Sequence, residues 1–236
     1  MNGKLYLIPA LLGDCSAERV LPPYIQHIVN TITHYIVENE RTARRFLLKI
    51  GYKHSIDNTT FYILNKHTKM EEFDTFLYPV MEGKTIGLLS EAGVPCVADP
   101  GNAIVSLAHA KDIAVIPLIG PSSILLALMA SGLNGQNFAF VGYLPINRNE
   151  RIKRIKYLEN ISAKENQTQI CIETPYRNQN LLEDIITSCQ AGTKLCIACN
   201  ITLKEEYIKT KTIHEWKNKL PDLHKKPTVF LLQKKY

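Results

Sequence analysis

Short apolar runs alternate with amphipathic stretches over the first half of the chain. The runs KLYLIP, THYIVE, TIGLLS and DIAVIPLI have the length and composition of buried parallel strands. Between them, apolar positions recur at helical spacing in stretches that end on Gly51, Gly83 and Gly132. This alternation predicts a mostly parallel sheet with helices on both faces.

The second half repeats the alternation with a different strand order. It predicts strands at NFAFVGYL, TQICIET, KLCIACNIT, EYIKTKTI and PTVFLLQ, and helices around residues 148–162, 177–190 and 213–219. Because strands follow one another directly after residue 194, part of this sheet should be antiparallel. We therefore predict an α/β protein of two α/β lobes, residues 1–120 with a mostly parallel sheet and residues 121–236 with a mixed sheet. A ligand cleft is expected between them.

Composition is that of a soluble protein with a real core. The chain has 236 residues, 45% of them hydrophobic, and no apolar run long enough to span a membrane. The N-terminus has no signal-peptide pattern, so we expect a cytoplasmic protein. Six cysteines are scattered among apolar residues, which indicates buried thiols. Cys196 and Cys199 form a CxxC within a strand-like run, where their side chains would face opposite sides, so no metal site is predicted.

Charge is unevenly distributed. Residues 1–133 carry 11 basic and 12 acidic side chains, a net charge of −1, whereas residues 134–236 carry 17 and 10, a net charge of +7. The densest basic run is RNERIKRIK, residues 148–156. Two interpretations stay open for it: a solvated helix face, which is the commoner case, or a surface that contacts phosphates.

Turns rich in glycine and proline follow three of the predicted strands. They read PALLGD, EAGVPCVADPG and GPSS. Gly93 permits close approach of a ligand to the backbone, Pro95 restrains its neighbours, and Ser122 and Ser123 begin a helix whose free N–H groups can hold an anion. Because ligands of open parallel sheets lie beyond the carboxyl ends of the strands, these turns predict a small-molecule site.

The motifs in this order resemble a known family. The stretches that match its patterns are GKLYLIPALLGD, VENERT, EAGVPCVADPG, VIPLIGPSS, ASGL, IETPYR and ACNITLKEE. The chain resembles the S-adenosylmethionine-dependent tetrapyrrole methylase superfamily, most closely the branch that 2′-O-methylates a cytidine in bacterial small-subunit ribosomal RNA. The likeness extends from Lys4 to about Gln233, with order and spacing in agreement.

The resemblance implies a fold, a cofactor and partners. S-adenosylmethionine would lie in the cleft between the lobes, the substrate would be ribosomal RNA, and the protein would be a homodimer. The implied cofactor contacts are Leu12, Gly13, Gly93, Val94, Pro95, Val97, Ser122, Ser123, Glu173, Thr174, Cys199, Asn200 and Thr228.

Methyl transfer to a ribose hydroxyl depends on positioning and gains from a proton acceptor. Candidate acceptors are Glu38, Glu40, Glu173 and Lys204. Arg41 and Arg177 could orient a phosphate, or could belong to structural ion pairs.

Two departures from the family pattern keep alternatives open. Cys199-Asn200 stand where the pattern has Arg-Glu, and Lys226-Pro227 stand where it has Gly-Glu. Losing an arginine removes a rigid five-donor group from the site. The alternatives are a methyltransferase for a tetrapyrrole or another small molecule, and a catalytically silent protein that binds the cofactor.

Overall fold

The computed structural model describes residues 3–65 and 67–234, and the chain divides into two compact units, Met1–Ser122 (unit 1) and Ser123–Tyr236 (unit 2). Unit 1 contains strands β1 (Lys4–Ile8), β2 (His34–Val37), β3 (Thr60–Ile63), β4 (Ile86–Leu89) and β5 (Ala114–Pro117), and helices α1 (Pro23–Val29), α2 (Glu40–Lys49), α3 (Met70–Met81) and α4 (Asn102–Ala110). Unit 2 contains helices α5 (Ser123–Ser131), α6 (Arg148–Glu165), α7 (Asn178–Ser188) and α8 (Ile213–Trp216), and strands β6 (Phe138–Tyr143), β7 (Thr168–Ile172), β8 (Lys194–Cys199), β9 (Tyr207–Thr212) and β10 (Thr228–Gln233).

The sheet of unit 1 is entirely parallel. Its strand order is β3-β2-β4-β1-β5. The connections that follow the neighbouring strands β1 and β4 therefore leave in opposite directions across the sheet. Alternate strand residues point to two separate cores: Ile8 and Tyr35 to one, Leu5 and Ile36 to the other. The predicted α/β class with helices on both faces is confirmed.

Three local features of unit 1 differ from the sequence prediction. Strand β3, TFYI, was missed because it has four residues and follows a polar stretch. Helix α1 was missed because Pro22-Pro23 resembles a turn, whereas Pro23 is the first helical residue, where its missing N–H costs nothing. Pro79 in EEFDTFLYPVMEG predicts a kink or an early end of the helix, but α3 runs through it, because Pro79 lies in the last turn and removes only one late hydrogen bond.

The sheet of unit 2 is mixed, as predicted. Its order is β6-β7-β10-β8-β9, with β6 parallel to β7 and the remaining pairs antiparallel. One face buries Trp216, Phe230 and Leu182 beneath α6, α7 and α8, and the Trp216 indole N–H donates to the carbonyl of Leu195 at 2.9 Å. Helix α5 packs against β8, β9 and β10.

The basic run at the start of α6 is not a uniform surface. The Arg151 guanidinium is buried and donates to Asp184 on α7 at 2.6 and 2.8 Å, and to the carbonyl of Ile146 at 2.8 Å. Lys153 and Lys156 are exposed. Treating Arg151 as one of a row of exposed cations is therefore wrong: its charge is used to hold α6 against α7.

The CxxC lies within β8, as the sequence predicts. Cys196 and Cys199 are both buried free thiols, and only Cys199 faces the core beneath α6 and α7. Among the described residues, no cluster of three or more histidine, cysteine or acidic side chains is placed to hold a metal ion. Nor does any helix in the described ranges combine the length and apolar character needed to cross a membrane.

Candidate cofactor and acceptor site

Three loops of unit 1 meet at Gly93, beyond the carboxyl ends of β1, β4 and β5. Gly93 and Ala10 exchange backbone hydrogen bonds of 2.8 and 3.2 Å, which join the loops after β1 and β4. A Cβ at position 93 would lie 3.1 Å from both Leu12 Cδ2 and the carbonyl oxygen of Pro121 in the loop after β5. With φ at +74°, the position also favours glycine. The turn predicted to bind a ligand is therefore the point where these loops touch.

The rest of the loop after β4 is tightly constrained. Cys96 and Ala98 have φ of 67° and 63°, a region that costs a non-glycine residue about 1 kcal/mol or more. Asp99 Oδ1 holds the loop by accepting the N–H groups of Cys96 and Gly101, each at 2.8 Å. Val97, at the tip, is 43% exposed. A loop fixed in this way presents its backbone without rearrangement.

A pocket of about 410 Å³ opens in unit 1 between α2 and the loops after β1 and β4. Gly13, one of the implied cofactor contacts, lies in its wall. The wall also contains residues that sequence reasoning did not select: Arg45, Phe46, Lys49 and Glu91. Arg45, Phe46 and Lys49 all lie on α2. Lys49 follows Phe46 by three residues and Arg45 by four, so the sequence RTARRFLLK already indicates that they share one face of the helix. The contribution of Glu91 depends on the fold.

Three carboxylates stand near one another at this edge of the sheet. Glu38 follows β2, and Glu91 and Asp99 lie in the loop after the neighbouring β4. Burial raises the pKa of Glu38, and the charges of Asp99 and Glu91 raise it further. A cavity of about 10 Å³, room for about one water molecule, lies beside Glu38 and Asp99. Glu38 is thus a carboxylate whose affinity for a proton is increased.

The remaining candidates in and around α2 are more exposed. Asn39 caps the helix by accepting the N–H groups of Arg41 and Thr42, and the Arg41 side chain is exposed in the first turn. Glu40 pairs with Arg44 one turn later at 2.6 Å. Thr42 donates from its hydroxyl to Glu91, which joins α2 to the loop after β4. Glu40 therefore has a structural partner, whereas Arg41 faces solvent.

In unit 2, the fold brings the predicted residues to one sheet edge. Because β10 runs antiparallel to β7 and β8, its first residue meets their ends: Thr228 pairs with Cys199, and the N–H of Asn200 donates to Pro227 at 2.9 Å. Glu173 and Thr174 follow β7 at the same edge. Burial raises the pKa of the Cys199 thiol, which hydrogen-bonds Thr228. Three segments that are distant in sequence therefore share one edge of unit 2.

Glu173 and Arg177 form an ion pair at this edge. Arg177 Nη2 lies 2.6 Å from Glu173 Oε1, which also accepts the N–H of Thr174 at 2.6 Å. The Glu173 side chain is 1% exposed, so these two donors replace the water that a buried carboxylate loses. The buried Arg177 Nε and Asn178 Oδ1 have no protein partner. Lys204 is exposed in the turn after β8.

Ser122 is the last residue of unit 1, and Ser123 is the first residue of α5 in unit 2. The stretch PSSILLALMASG predicts a helix whose first residue is Pro121, and the helix begins two residues later, at Ser123. Both serines directly follow the loop whose Pro121 carbonyl approaches Gly93.

Curated relatives decide the family. The chain is 32% identical over 185 residues to ribosomal RNA small subunit methyltransferase I from Xylella fastidiosa, covering 78% of this chain and 63% of that protein. It is 30% identical over 234 residues to the protein of that name from Buchnera aphidicola, covering 98% of this chain and 78% of the relative. The chain belongs to the ribosomal RNA small subunit methyltransferase I family. The resemblance drawn from the motifs is confirmed.

The family match extends to a protein of the same name from Escherichia coli O157:H7, 28% identical over 88% of this chain and 68% of that protein. The chain thus spans about two thirds to four fifths of the length of these relatives. No protein-family model matches it.

Solved structures of low sequence identity share the fold. The methyltransferase CobJ superposes with a TM-score of 0.65 at 17% identity, covering 98% of this chain and 94% of that one. Cobalt precorrin-4 methyltransferase, CbiF, gives a TM-score of 0.62 at 15% identity, covering 98% and 94%. The tetrapyrrole methylase-like fold is therefore confirmed.

Proposed function

We propose that this protein transfers a methyl group from S-adenosylmethionine to a ribose 2′-hydroxyl of small-subunit ribosomal RNA. One observation carries the proposal: in a chain of this family, three strand-end loops converge on Gly93 at the carboxyl edge of a parallel sheet. That edge is where open α/β sheets bind ligands.

The loops of unit 1 fit the cofactor. Gly93 lets the loops meet closely, since a Cβ there would lie 3.1 Å from both Leu12 Cδ2 and the Pro121 carbonyl oxygen. The other proposed contacts of unit 1, which are Leu12, Gly13, Val94, Pro95 and Val97, lie on the two joined loops. The Glu173, Thr174, Cys199, Asn200 and Thr228 edge of unit 2 supplies the other proposed contacts. When bound, S-adenosylmethionine supplies an electrophilic methyl group on its sulfonium.

The charged residues in the wall of the unit 1 pocket favour an RNA acceptor over a tetrapyrrole. A tetrapyrrole would need an enclosed apolar trough, but this pocket carries Arg45 and Lys49 as well as Glu91. Lys49 Nζ lies 2.6 Å from the exposed Asp14 carboxylate and is available to a stronger anion. A phosphate beside Arg45 and Lys49 would be held by charge-assisted hydrogen bonds.

Glu38 is the proton acceptor that the geometry favours. Transfer forms an oxygen–carbon bond as the sulfur–carbon bond breaks, and the hydroxyl proton must leave. Burial and the neighbouring charges raise the pKa of Glu38, which makes this carboxylate a better base at neutral pH. Arg41, Arg177 and Lys204 are proposed to contact the RNA backbone, Arg177 only if its pair with Glu173 opens.

The test is methyl transfer to small ribosomal subunits from a strain lacking the gene. With isotopically labelled S-adenosylmethionine, we expect one 2′-O-methylated nucleoside, identified by mass spectrometry. Glu38→Gln should slow transfer by about 100-fold with unchanged cofactor affinity, and Glu40→Gln should have little effect. Label in a base, or in an added tetrapyrrole only, would refute the proposal. Cofactor binding without any transfer would favour a silent homologue.

We propose further that the protein is a cytoplasmic homodimer. Helix α5 is apolar on every side, and Met129 on it is 78% exposed, as expected of a surface that packs against another chain. Light scattering should report twice the 26.7 kDa chain mass. A constant mass near 26.7 kDa over a wide concentration range would reject the dimer.

A further inference from the structure

Tyr176 stands apart from the other aromatic side chains of the protein. It is 70% exposed, more than any other tyrosine, phenylalanine or tryptophan in the part of the chain that the structure describes. It lies in the short connection between β7 and α7, two residues after Thr174 and next to Arg177. An exposed ring at the edge of a candidate site requires a reason beyond core packing.

The Tyr176 ring is held in place from a second loop. His224 meets it edge-on with ring centroids 6.2 Å apart, and Lys225 Nζ lies over the ring, 5.8 Å from its centroid. The N–H of Lys225 donates to the carbonyl of Pro175 at 3.1 Å, which ties the two loops together. The ring is therefore fixed although most of its surface faces solvent.

The supporting loop is itself rigid and strained. Asp222 accepts the N–H of His224 at 3.0 Å and pairs with Lys226 Nζ at 3.3 Å. Lys225 has a φ of +59°, unfavourable for a residue with a side chain. Such strain is retained where the surroundings fix it, and here it accompanies a lysine placed over an aromatic ring.

The combination is that of a surface for single-stranded nucleic acid. Such surfaces pair aromatic rings, on which bases stack, with cations that follow the phosphates. Lys225 lies over the ring, Lys226 follows it in the chain, Lys204 lies on the turn after β8, and the unit as a whole is strongly basic. We propose that Tyr176, held by His224 and Lys225, is a platform on which an unpaired base of the RNA substrate stacks. The proposal rests on the proposed function in taking RNA as the partner.

The experiment compares three single variants with the wild-type protein, using a fluorescein-labelled single-stranded RNA of mixed sequence and fluorescence anisotropy. Tyr176→Ala should weaken RNA binding by about 5- to 100-fold, and Tyr176→Phe should stay within about twofold of wild type, since stacking needs only the ring. Lys225→Gln should lower the salt slope of log K by about 0.7, the value for one phosphate contact.

Tyr24→Ala is the matched control. Tyr24 is also exposed, at 58%, and stacks on a histidine, His27, but lies on α1 of unit 1. It should leave RNA affinity unchanged. Calorimetry with S-adenosylmethionine should give the same affinity for all four variants, since an exposed ring can be removed without unfolding.

Outcomes for the platform and for the proposed function are separable. If Tyr176→Ala and the Tyr24→Ala control bind RNA with the same affinity, or if the wild-type protein does not bind the RNA, the platform is refuted. If RNA binding depends on Tyr176 but ribosomal subunits are not methylated, the platform stands and the proposed activity fails. Photo-crosslinking of 4-thiouridine RNA to the Tyr176 peptide would support the platform directly.

Discussion

The two units present different kinds of sheet edge. In unit 1 the edge is held together mainly by backbone: Gly93, Cys96 and Ala98 hold left-handed conformations, and main-chain hydrogen bonds join the loops after β1 and β4, beside the carboxylates described above. In unit 2 it is made of paired side chains, Glu173 with Arg177 and Cys199 with Thr228. Unit 1 carries a net charge of −1 and unit 2 of +7, since residues 123–133 are uncharged.

This difference explains where the chain departs from its family pattern. An edge held together by main-chain contacts tolerates changes of side chain, provided that Gly93 remains. A side-chain edge changes its chemistry with each substitution, and Cys199-Asn200 and Lys226-Pro227 both lie in unit 2. The departures that change side-chain chemistry therefore fall at the edge of unit 2.

The largest expected effect is at the backbone edge. Gly93→Arg should abolish detectable binding of S-adenosylmethionine in calorimetry, because any side chain there meets Leu12 and the Pro121 carbonyl. Gly135→Arg is the matched control, since a Cβ at position 135 has no neighbour within 4 Å. Retained binding by a folded Gly93→Arg protein would place the cofactor elsewhere.

Next in size is the buried ion pair of unit 2. Arg151→Ala should lower the free energy of unfolding by about 3 kcal/mol, the low end for breaking a buried pair, because Arg148 still contacts Asp184 at 2.9 Å. Urea denaturation measures this. Lys153→Ala on the same helix should cost less than about 0.5 kcal/mol. If the two variants are equally stable, the ion pair of Arg151 with Asp184 does not stabilise the fold.

A smaller effect concerns the exposed part of the same run. Replacing Lys153 and Lys156 with Ala should lower the salt slope of RNA binding by up to about 1.4, because each phosphate that is no longer neutralised accounts for about 0.7. The control replaces Lys4 and Lys53, exposed lysines of unit 1, and should leave the slope unchanged. If the Lys153/Lys156 variant and the Lys4/Lys53 variant have the same salt slope, the exposed lysines of α6 form a solvated face. The charge difference between the units would then not direct RNA to unit 2.

The smallest effect is electrostatic and concerns unit 1. Because burial and the charges of Asp99 and Glu91 raise the pKa of Glu38 above its ordinary 4.5, the folded protein binds a proton there more tightly than the unfolded chain. Ionised Glu38 thus destabilises the fold, and the penalty grows as pH rises above 4.5 through the raised pKa. Glu38→Gln should raise Tm at neutral pH by about 1–3 °C. A lower Tm would show that its charge is stabilised.

The sequence predicted the elements that are defined by their own pattern. Strands β1, β2, β4 and β5 and helices α2, α3 and α5 to α8 follow from local apolar spacing, and the motif order predicted the family. What it missed depends on distant contacts. The partner of Arg151 is Asp184, 33 residues away. Glu91 reaches the pocket wall beside α2 because β4, which precedes Glu91, pairs with β2, which precedes α2. Neither separation leaves a local signal.

The buried cysteines give the chain an internal reporter of its own opening. Four thiols, those of Cys171, Cys189, Cys196 and Cys199, are buried in unit 2, and burial raises the pKa of Cys171 to about 12. Thiol reagents attack the thiolate, so these buried thiols should not react at neutral pH while unit 2 is folded. The two thiols of unit 1, Cys15 and Cys96, are partly exposed. The labelling rate of the buried set therefore reports the opening of unit 2 without any engineered probe, and the partly exposed thiols of unit 1, which can be reached without opening, are the internal comparison.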